Sequence, residues 1–265
     1  MSRHKVSFSI AGVNFELESD KAEPVRWLRA RYAPYLSQAM PGVRISLCYN
    51  SRRLPPPGKK LLCGPYIIYE NRGRNLEFKI YAKGSYIALG DVLRFLISLV
   101  LLENGGFLLH SCGVIIDGGA YLFSGPSGAG KTTLARLLPQ ENGETILSDE
   151  TTAITKNSGG YYGWATPFFG DFGSIGANNK SALKAIFFLK QARRFKLKRL
   201  EPVYSSARLL GNIFLLGGNW RYNYNIDRLC DAALGCSRKV AAYELEFLPN
   251  KRVWNYIKEK ISPGG

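Results

Sequence analysis

The segment 123–134, which reads FSGPSGAGKTTL, constrains the fold of this chain more than any other. Residues 125–132 match the pattern G-x-x-x-x-G-K-[ST] in full. Glycines let the backbone N–H groups of such a loop turn inward and surround phosphate oxygens, and the helix that follows adds the positive end of its dipole. The pattern therefore predicts a strand before Gly125, a short helix from Lys131 to Leu138, and a phosphate site between them.

Two side chains of this segment have specific expected tasks. Lys131 is expected to reach the β and γ phosphates of ATP, and the Thr132 hydroxyl to ligate Mg²⁺. ATP and Mg²⁺ are accordingly the expected cofactors. The predicted nucleotide-binding residues are Gly125, Pro126, Ser127, Gly128, Ala129, Gly130, Lys131, Thr132 and Thr133.

An acidic pair follows the next predicted strand, TILS. Asp149 comes eighteen positions after Lys131, and Glu150 follows it. One helix and one strand fit in that interval, so both acids should return beside the loop. One carboxylate can hold Mg²⁺, and the other can accept a proton from an attacking hydroxyl. The alternative is an acidic strand end or a helix cap without a catalytic task.

The strand that enters the glycine-rich segment is predicted to belong to an antiparallel hairpin. FLLHSCGVII and AYLFS read as strands, and Asp117-Gly118-Gly119 between them as a tight turn. In ordinary P-loop NTPases this strand lies in a parallel sheet reached by crossovers. His110 lies on the first arm, where it is either a core histidine or a partner of the acids. Asp171 and Arg221 are weaker candidate site residues.

The pattern predicts two domains. Strands are predicted at 6–19 (a hairpin turning at Ala11-Gly12), 43–50, 66–70, 76–83 and 85–90, with a helix at 23–36. We therefore expect a small α+β lobe over 1–95 and an α/β domain with a mixed sheet over 96–265. An amphipathic helix N-capped by Asp91 and stopped by Gly105-Gly106 should join them. Residues 161–173 read as a loop or strand rim, and 181–192 contain a buried strand.

Composition and charge bear on the cellular location and the partners expected for this chain. The most apolar run, Leu93–Leu102, is half the length that a membrane span needs. The five cysteines have irregular spacing, and the start of the chain is too polar for a secretory signal, so a cytoplasmic protein is expected. The net charge of +16 fits a nucleic acid, an acidic peptide or an anionic membrane as partner, or simply a basic surface. No recognisable nucleic-acid module accompanies it, so nucleic acid is not favoured.

The basic segment RRFKLKRL at 193–200 alternates charged and apolar residues. This alternation predicts a solvated edge strand. The other interpretation is a docking surface for an acidic peptide.

The block LLHSCGVIIDGGAYLFSGPSGAGKTTLARLL, followed by ILSDETTAI, resembles the catalytic domain of HPr kinase/phosphorylase. It is more similar still to the HPr-kinase-related proteins of bacterial peptide-modification clusters. TPFFGDFG, SALKAIFFLKQA and YELEFLPNKRVWNYI also resemble that group, so the similarity spans roughly residues 105–260. The resemblance implies a phosphoenolpyruvate-carboxykinase-like nucleotide-binding core. It also implies transfer of the γ-phosphoryl group of ATP to a serine or threonine hydroxyl of a peptide or small protein, in a bacterial cytoplasm, with a homo-oligomer possible.

The resemblance also assigns roles. It implies Asp149 as the base and a neighbour of the metal, Glu150 as a metal-side carboxylate, and His110 as their partner. HPr kinases typically carry two aspartates here, and serine where this chain has Thr132. The stretch by which they bind HPr is not recognisable, so the resemblance implies neither HPr as acceptor nor phosphorylase activity.

Two other functions remain open on the sequence. One is a kinase for a small metabolite, which would have a deep, closed acceptor pocket. The other is a nucleotide-binding regulatory protein with little turnover. A nucleic-acid motor is disfavoured, because the chain has 265 residues and no visible second set of helicase motifs.

Overall fold

A computed structural model describes residues 3–49, 58–63, 66–72, 76–82, 89–137, 145–170, 177–215 and 224–261. The chain divides into two compact units. The first comprises Met1–Leu99 with Leu215–Asn225, and the second Val100–Phe214 with Ile226–Gly265. Both units contain a mixed sheet and helices, so the expected mixed α/β class is confirmed.

The first unit is built on a six-stranded sheet with the order β1-β2-β3-β6-β5-β4. β2 and β3 are parallel, as are β3 and β6, and the other neighbouring pairs are antiparallel. The predicted hairpin turn has Ala11 and Gly12 in the left-handed region, with φ of 52° and 80°. The strands are β1 (His4–Ile10), β2 (Val13–Ser19), β3 (Val43–Tyr49), β4 (Lys59–Cys63), β5 (Tyr66–Arg72) and β6 (Leu76–Ala82).

Helix α1 (Ala22–Arg31) packs on the β1–β2 hairpin and is shorter than predicted. It ends before Tyr32, and a single 3-10 turn, Ala33–Tyr35, follows it. The reason is Pro34, because the residue before a proline is disfavoured in the α conformation. The prediction of an uninterrupted helix to residue 36 was therefore wrong.

Helix α2 (Leu89–Glu103) starts earlier than predicted. Leu89 and Gly90 are helical rather than extended, so the predicted strand at 85–90 was wrong at its end; residues 83–88 lie outside the described part. Asp91 sits inside the first turn and is not the cap. The predicted stop is confirmed: Gly105 has φ of 72°, and the Gly106 N–H bonds the Leu101 carbonyl at 2.9 Å.

The second unit is built on an eight-stranded sheet with the order β11-β10-β7-β8-β12-β14-β13, in which β9 also pairs with β7. Its strands are β7 (Phe107–Ile116), β8 (Gly119–Ser124), β9 (Thr145–Ser148), β10 (Thr151–Asn157), β11 (Gly160–Trp164), β12 (Lys180–Gln191), β13 (Lys196–Arg199) and β14 (Ala241–Phe247). Its helices are α3 (Lys131–Leu137), α4 (Pro202–Leu210), α5 (Ile226–Lys239) and α6 (Val253–Ile261).

Strand β8 has a different neighbour type on each edge. It is antiparallel to β7 through a turn at Asp117 and Gly118, with φ of 51° and 71°, and parallel to β12 on the other side. The predicted antiparallel hairpin is confirmed. β8 therefore carries the glycine-rich segment out of a mixed sheet rather than a parallel one.

An additional pairing between β11 and β12 closes part of this sheet into a ring of strands. β11 pairs with β10 at one edge and with β12 at the other, so β7, β8, β12, β11 and β10 follow one another around the ring. Inside the ring, the Leu122 side chain packs against Gly113 and Gly163, two positions that have no side chain. A Cβ on Gly113 would lie 2.8 Å from Leu122 Cδ2, and one on Gly163 would lie 3.1 Å from Ala120 Cβ. The two glycines make room for this closure.

Both alternatives predicted for 161–173 occur, because residues 161–164 are a strand and residues 165–170 are irregular; residues 171–173 lie outside the described part. Tyr161, Tyr162 and Trp164 are aromatic residues, which favour a pleated, half-buried surface. At the other end of the sheet, β13 is an exposed edge strand, as the alternation in RRFKLKRL predicted.

The hydrophobic core under β8 is formed by aromatic rings and by helices α3 and α6. Phe123 stacks on Phe187 with centroids 5.0 Å apart, and Phe187 stacks on Tyr243 at 5.5 Å. Leu134 of α3 and Trp254 of α6 belong to the same cluster. Packing on this side holds the end of β8, and so the start of the glycine-rich segment, in a fixed place. In the ranges that the structure describes, no helix has the length and apolarity to cross a bilayer.

Candidate functional site

The loop Gly125–Gly130, called the glycine loop below, links the end of β8 to the start of α3. Gly128 and Gly130 have φ of 78° and 98°, which L side chains rarely adopt. A Cβ on Gly130 would lie 2.8 Å from Phe247 Cζ, and one on Gly125 would lie 2.9 Å from Ala129 Cβ. The glycines of the motif are thus required by the backbone conformation and by close packing.

Lys131 lies at the first position of α3, and its side chain bends back over the glycine loop. Its Nζ donates to the carbonyls of Gly125 at 2.8 Å and Pro126 at 3.0 Å. The residue is only 7% exposed, and this burial lowers the pKa of the ammonium. Nearby Cys112 is fully buried, which raises the pKa of its thiol to about 12 and keeps it neutral. One ammonium donor of Lys131 remains for an anion in the loop.

Asp149 and Glu150, called the acid bend below, form the bend between β9 and β10. Ser148 shapes it: its Oγ accepts from the N–H groups of Glu150 at 3.2 Å and Thr151 at 3.1 Å, and donates to the Phe168 carbonyl at 3.1 Å. Asp149 is buried, with 4% exposed, while Glu150 is partly exposed. The bend is therefore held by the Ser148 hydroxyl before any ligand is considered.

Both carboxylates of the acid bend face Gly170. The Gly170 N–H donates to Asp149 Oδ1 at 2.8 Å. A Cβ on Gly170 would lie 3.4 Å from Asp149 Oδ2 and 3.5 Å from Glu150 Oε2. The two carboxylates accordingly converge on one small volume, which the missing side chain of Gly170 leaves open.

His110 lies next to the acid bend through the β7–β10 pairing. Its partner across the strands is Thr151, and the Ser111 N–H donates to the Glu150 carbonyl at 3.0 Å. The backbone of His110 is held on both sides, because its N–H bonds the Asn212 carbonyl at 2.9 Å and its carbonyl accepts from Ser124 Oγ at 2.9 Å. This explains how a histidine of an apolar strand comes beside the acids.

One cavity of about 460 Å³ collects most of the predicted site residues. On the side of the glycine loop, the cavity is lined by Ser127, Gly128, Gly130, Lys131, Thr132 and Thr133. On the acidic side, it is lined by His110, Asp149 and Glu150. Gly125, Pro126 and Ala129 do not line it; the first two hold the Lys131 ammonium through their carbonyls. Asp171 and Arg221 lie outside the described residues.

Sequence reasoning missed two lining residues, Gly170 and Gln191. Gln191 ends β12 and donates from Nε2 to the Gly128 carbonyl at 2.7 Å. A signal existed for Gly170, since it precedes the candidate Asp171 in PFFGDFG. No local signal marked Gln191: its place depends on the parallel pairing of β12 with β8.

The donor set suits a hard cation that shares its ligands with a phosphate. Asp149, Glu150 and Thr132 offer carboxylate and hydroxyl oxygens at one cavity, and Mg²⁺ typically takes one or two carboxylates, waters and phosphate oxygens. Within the described ranges, no cluster of three or more His, Cys, Asp or Glu could hold a metal ion on its own. The oxygens of Asp149, Glu150 and Thr132 therefore fit a cation that shares its ligands with a phosphate.

A comparison with models of known protein families assigns this chain to a family. The family model of SynChlorMet cassette protein ScmC matches residues 86–261, two thirds of the chain, and this span contains every residue of the cavity. The chain belongs to the ScmC family. ScmC is a family of peptide-modification clusters, the setting that the sequence resemblance implied. No curated protein matches this ScmC-family chain.

Proposed function

We propose that this ScmC-family protein is an ATP-dependent kinase. It would transfer the γ-phosphoryl group to a serine or threonine hydroxyl of a peptide or small protein, on a phosphoenolpyruvate-carboxykinase-like core. The observation that supports the proposal is the single cavity lined both by the glycine loop with Lys131 and by the acid bend. A cavity with phosphate-binding amides on one side and acids on the other fits phosphoryl transfer.

The glycine-loop side would bind the nucleotide. The N–H groups of the loop and the Lys131 ammonium would neutralise the phosphate oxygens, and Gln191 would hold the loop through the Gly128 carbonyl. Mg²⁺ held by Thr132 and by the carboxylates of the acid bend would neutralise charge on the transferred group. Two carbonyls already bind the ammonium, so Lys131 is positioned at low cost in side-chain entropy.

The acidic side would accept the proton. Asp149 Oδ1 accepts a hydrogen bond from the Gly170 N–H, and Oδ2, which lies on the Gly170 side, would receive the proton of the acceptor hydroxyl. The hydroxyl oxygen then forms a bond to the γ-phosphorus, the bond to the β-γ bridging oxygen breaks, and ADP leaves. His110, held through its backbone, would orient the acid bend. Most of the rate enhancement would come from positioning and electrostatics.

A peptide acceptor is favoured over a metabolite by the family. ScmC belongs to peptide-modification clusters, and the peptides of such a cluster are natural acceptors. The chemistry of the cavity is the same for either acceptor, so the assay has to distinguish them.

The test is a transfer assay with γ-labelled ATP and Mg²⁺ on the full chain. Peptides encoded by neighbouring genes are offered, and products are analysed by mass spectrometry. We expect a peptide that gains one phosphate, and a loss of about 100-fold or more in rate with Asp149→Asn. The matched control is Asp117→Asn, an exposed acid paired with Lys258 in the β7–β8 turn, which should transfer normally.

Three outcomes have different meanings. Label on a peptide serine or threonine that disappears in Asp149→Asn supports the proposal. Label on a compound of a metabolite extract, with no labelled peptide, reassigns the protein to small-molecule kinases. ATP binding without any labelled product overturns the kinase proposal in favour of a regulatory nucleotide-binding protein.

A further inference from the structure

The strand β13 has one edge without a strand partner among the described residues. Its other edge pairs antiparallel with β14, and the Leu200 N–H just beyond it bonds the Ala242 carbonyl at 2.8 Å. In an antiparallel pair, alternate residues point their backbone groups toward and away from the partner. Lys198 therefore directs its N–H and C=O to β14, whereas Leu197 and Arg199 direct theirs to the open edge.

The two faces of β13 differ in chemistry. Phe195 and Leu197 pack against the apolar cluster under α6, with the Phe195 ring 5.2 Å from that of Tyr256. Lys196 and Lys198 lie on the opposite face and are exposed. A strand added at the open edge would thus meet lysines on one face and apolar side chains on the other.

The segment 190–199 carries a positive charge that its surroundings only partly neutralise. It contains six basic residues and no acidic one. The acids of β14 are already engaged: Glu246 pairs with Lys190 at 2.9 Å and Glu244 with Arg208 at 2.9 Å. No acid of the described ranges lies within ion-pair distance of Arg193, Arg194, Lys196, Lys198 or Arg199. The edge therefore favours an acidic partner.

The open edge of β13 lies at the same end of the sheet as the cavity of the proposed active site. Gln191 at the end of β12 lines that cavity and pairs in register with Phe247 at the end of β14. Phe247 is also the side chain that packs against Gly130 of the glycine loop. Lys196, which opens β13, lies opposite Glu246, one residue from Phe247. The Lys196 end of β13 is accordingly at the glycine-loop end of the sheet.

We propose that β13 binds the substrate peptide as an added strand, through a segment that alternates acidic and apolar residues. This inference rests on the kinase proposal and names its substrate class: a peptide in which the recognised acidic segment is separate from the hydroxyl. Acidic side chains at positions i and i+2 would face Lys196 and Lys198, and the apolar residue between them would face the side of Leu197. Backbone hydrogen bonds to Leu197 and Arg199 supply affinity, and the charges supply selectivity.

Geometry sets the spacing between segment and hydroxyl. A strand added to β13 would be three strand positions from β12, roughly 14 Å at 4.8 Å per strand. An extended chain covers ~3.3 Å per residue, so about four or five residues must separate the acidic segment from the phosphorylated serine or threonine.

Binding is tested first, without any transfer step. A fluorescein-labelled peptide GEVEVEG, which contains no hydroxyl acceptor, is titrated with the full chain and followed by anisotropy. Two comparison peptides are used. GEEEVVG has the same composition as GEVEVEG without the alternation, and GKVKVKG has the opposite charge. We expect GEVEVEG to bind at least about tenfold more tightly than either of them.

Two sets of variants locate the contact on β13. Lys196→Glu with Lys198→Glu should weaken GEVEVEG binding by about tenfold or more and favour GKVKVKG. Arg199→Ala removes a charge alone, while Arg199→Pro also removes the N–H that faces the open edge, so Arg199→Pro should weaken binding further. Binding of a fluorescent ATP analogue should remain at the wild-type level in all of them, which shows that each variant is folded.

The outcomes separate this inference from the kinase proposal. Equal binding of the three peptides, or no effect of the β13 variants, overturns the docking site, and the basic residues then only protect a free edge. An oligothymidylate that binds with the same loss in the variants also overturns it, in favour of nucleic acid. Loss of binding in the variants with normal transfer to short unfused acceptors leaves the kinase proposal intact. Specific GEVEVEG binding with no transfer to any acceptor overturns the kinase proposal alone.

Discussion

The backbone N–H of Gly170 donates a 2.8 Å hydrogen bond to Oδ1 of Asp149, although the two residues are 21 positions apart. The contact brings the segment after β11 against the bend between β9 and β10. It also fixes the orientation of the Asp149 carboxylate, with Oδ1 toward the Gly170 N–H. The absence of a side chain at Gly170 then determines how much space the two carboxylates share.

Gly170→Ala should reduce phosphoryl transfer without preventing the chain from folding. The new carbon would lie 3.4 Å from Asp149 Oδ2 and 3.5 Å from Glu150 Oε2, which are ordinary contacts, so the variant should fold. It would nevertheless fill the volume on which both carboxylates converge, and phosphoryl transfer should fall about tenfold or more. Gly211→Ala is the control, since its Cβ would meet no atom closer than 3.7 Å. Unchanged transfer in Gly170→Ala would mean that this volume is not used.

Ser148→Ala should loosen the acid bend. The substitution leaves two N–H groups and the Phe168 carbonyl without their buried partner, at a cost of about 1–3 kcal/mol in unfolding free energy. Transfer should fall as well, because Asp149 and Glu150 lose their fixed backbone.

The control for Ser148 is Ser98→Ala, in which a buried hydroxyl bonded to Phe95 O at 2.7 Å and to Tyr224 at 2.6 Å is removed. Urea denaturation should show a similar loss of stability, whereas transfer should be unchanged. If both variants lose transfer equally, the effect of Ser148→Ala is one of stability alone.

The lowered pKa of Lys131 predicts a pH dependence with a definite sign. Burial lowers the pKa of this lysine below 10.5, so between the lowered value and 10.5 the unfolded chain binds more protons than the folded one. Stability contributed by this group therefore rises with pH through that window. The difference in unfolding free energy, wild type minus Lys131→Met, should increase toward pH 10.5 in urea titrations. Lys60→Met, which removes the same type of side chain at an exposed position, is the comparison variant. A slope of opposite sign would contradict burial as the cause.

The two glycines of the loop with positive φ should differ in tolerance. Gly128→Ala has open space around the new carbon and should cost only the left-handed penalty, about 1–2 kcal/mol. Gly130→Ala has the same conformational penalty and would also place its Cβ 2.8 Å from Phe247 Cζ, so it should cost more. Urea midpoints rank the two variants, and an equal loss would show that Phe247 moves freely. Gly128→Asn should be milder than Gly128→Ala, because asparagine tolerates the left-handed region.

The sequence predicted those features whose signals are local. The glycine loop, the turn at Asp117 and Gly118, and the position of the acid pair after a short strand follow from turn chemistry and strand length. Local signals also misled: Pro34 ends a helix that periodicity would continue, and apolar residues before Asp91 read equally well as strand or helix. The basic alternation at 193–200 correctly indicated an edge strand but could not show which strand it borders.

The sequence by itself determined the loop, the hairpin that carries it and the residues that could handle a phosphate, because backbone conformation at glycines and turn residues is set within a few neighbours. Only the tertiary structure decided that His110, Gly170 and Gln191 share one cavity with them. The places of His110 and Gln191 depend on β7 pairing with β10 and on β12 pairing with β8, and that of Gly170 depends on its hydrogen bond to Asp149; all are contacts between segments far apart in the chain. Such pairings depend on packing across the whole sheet, and no short stretch of residues encodes them.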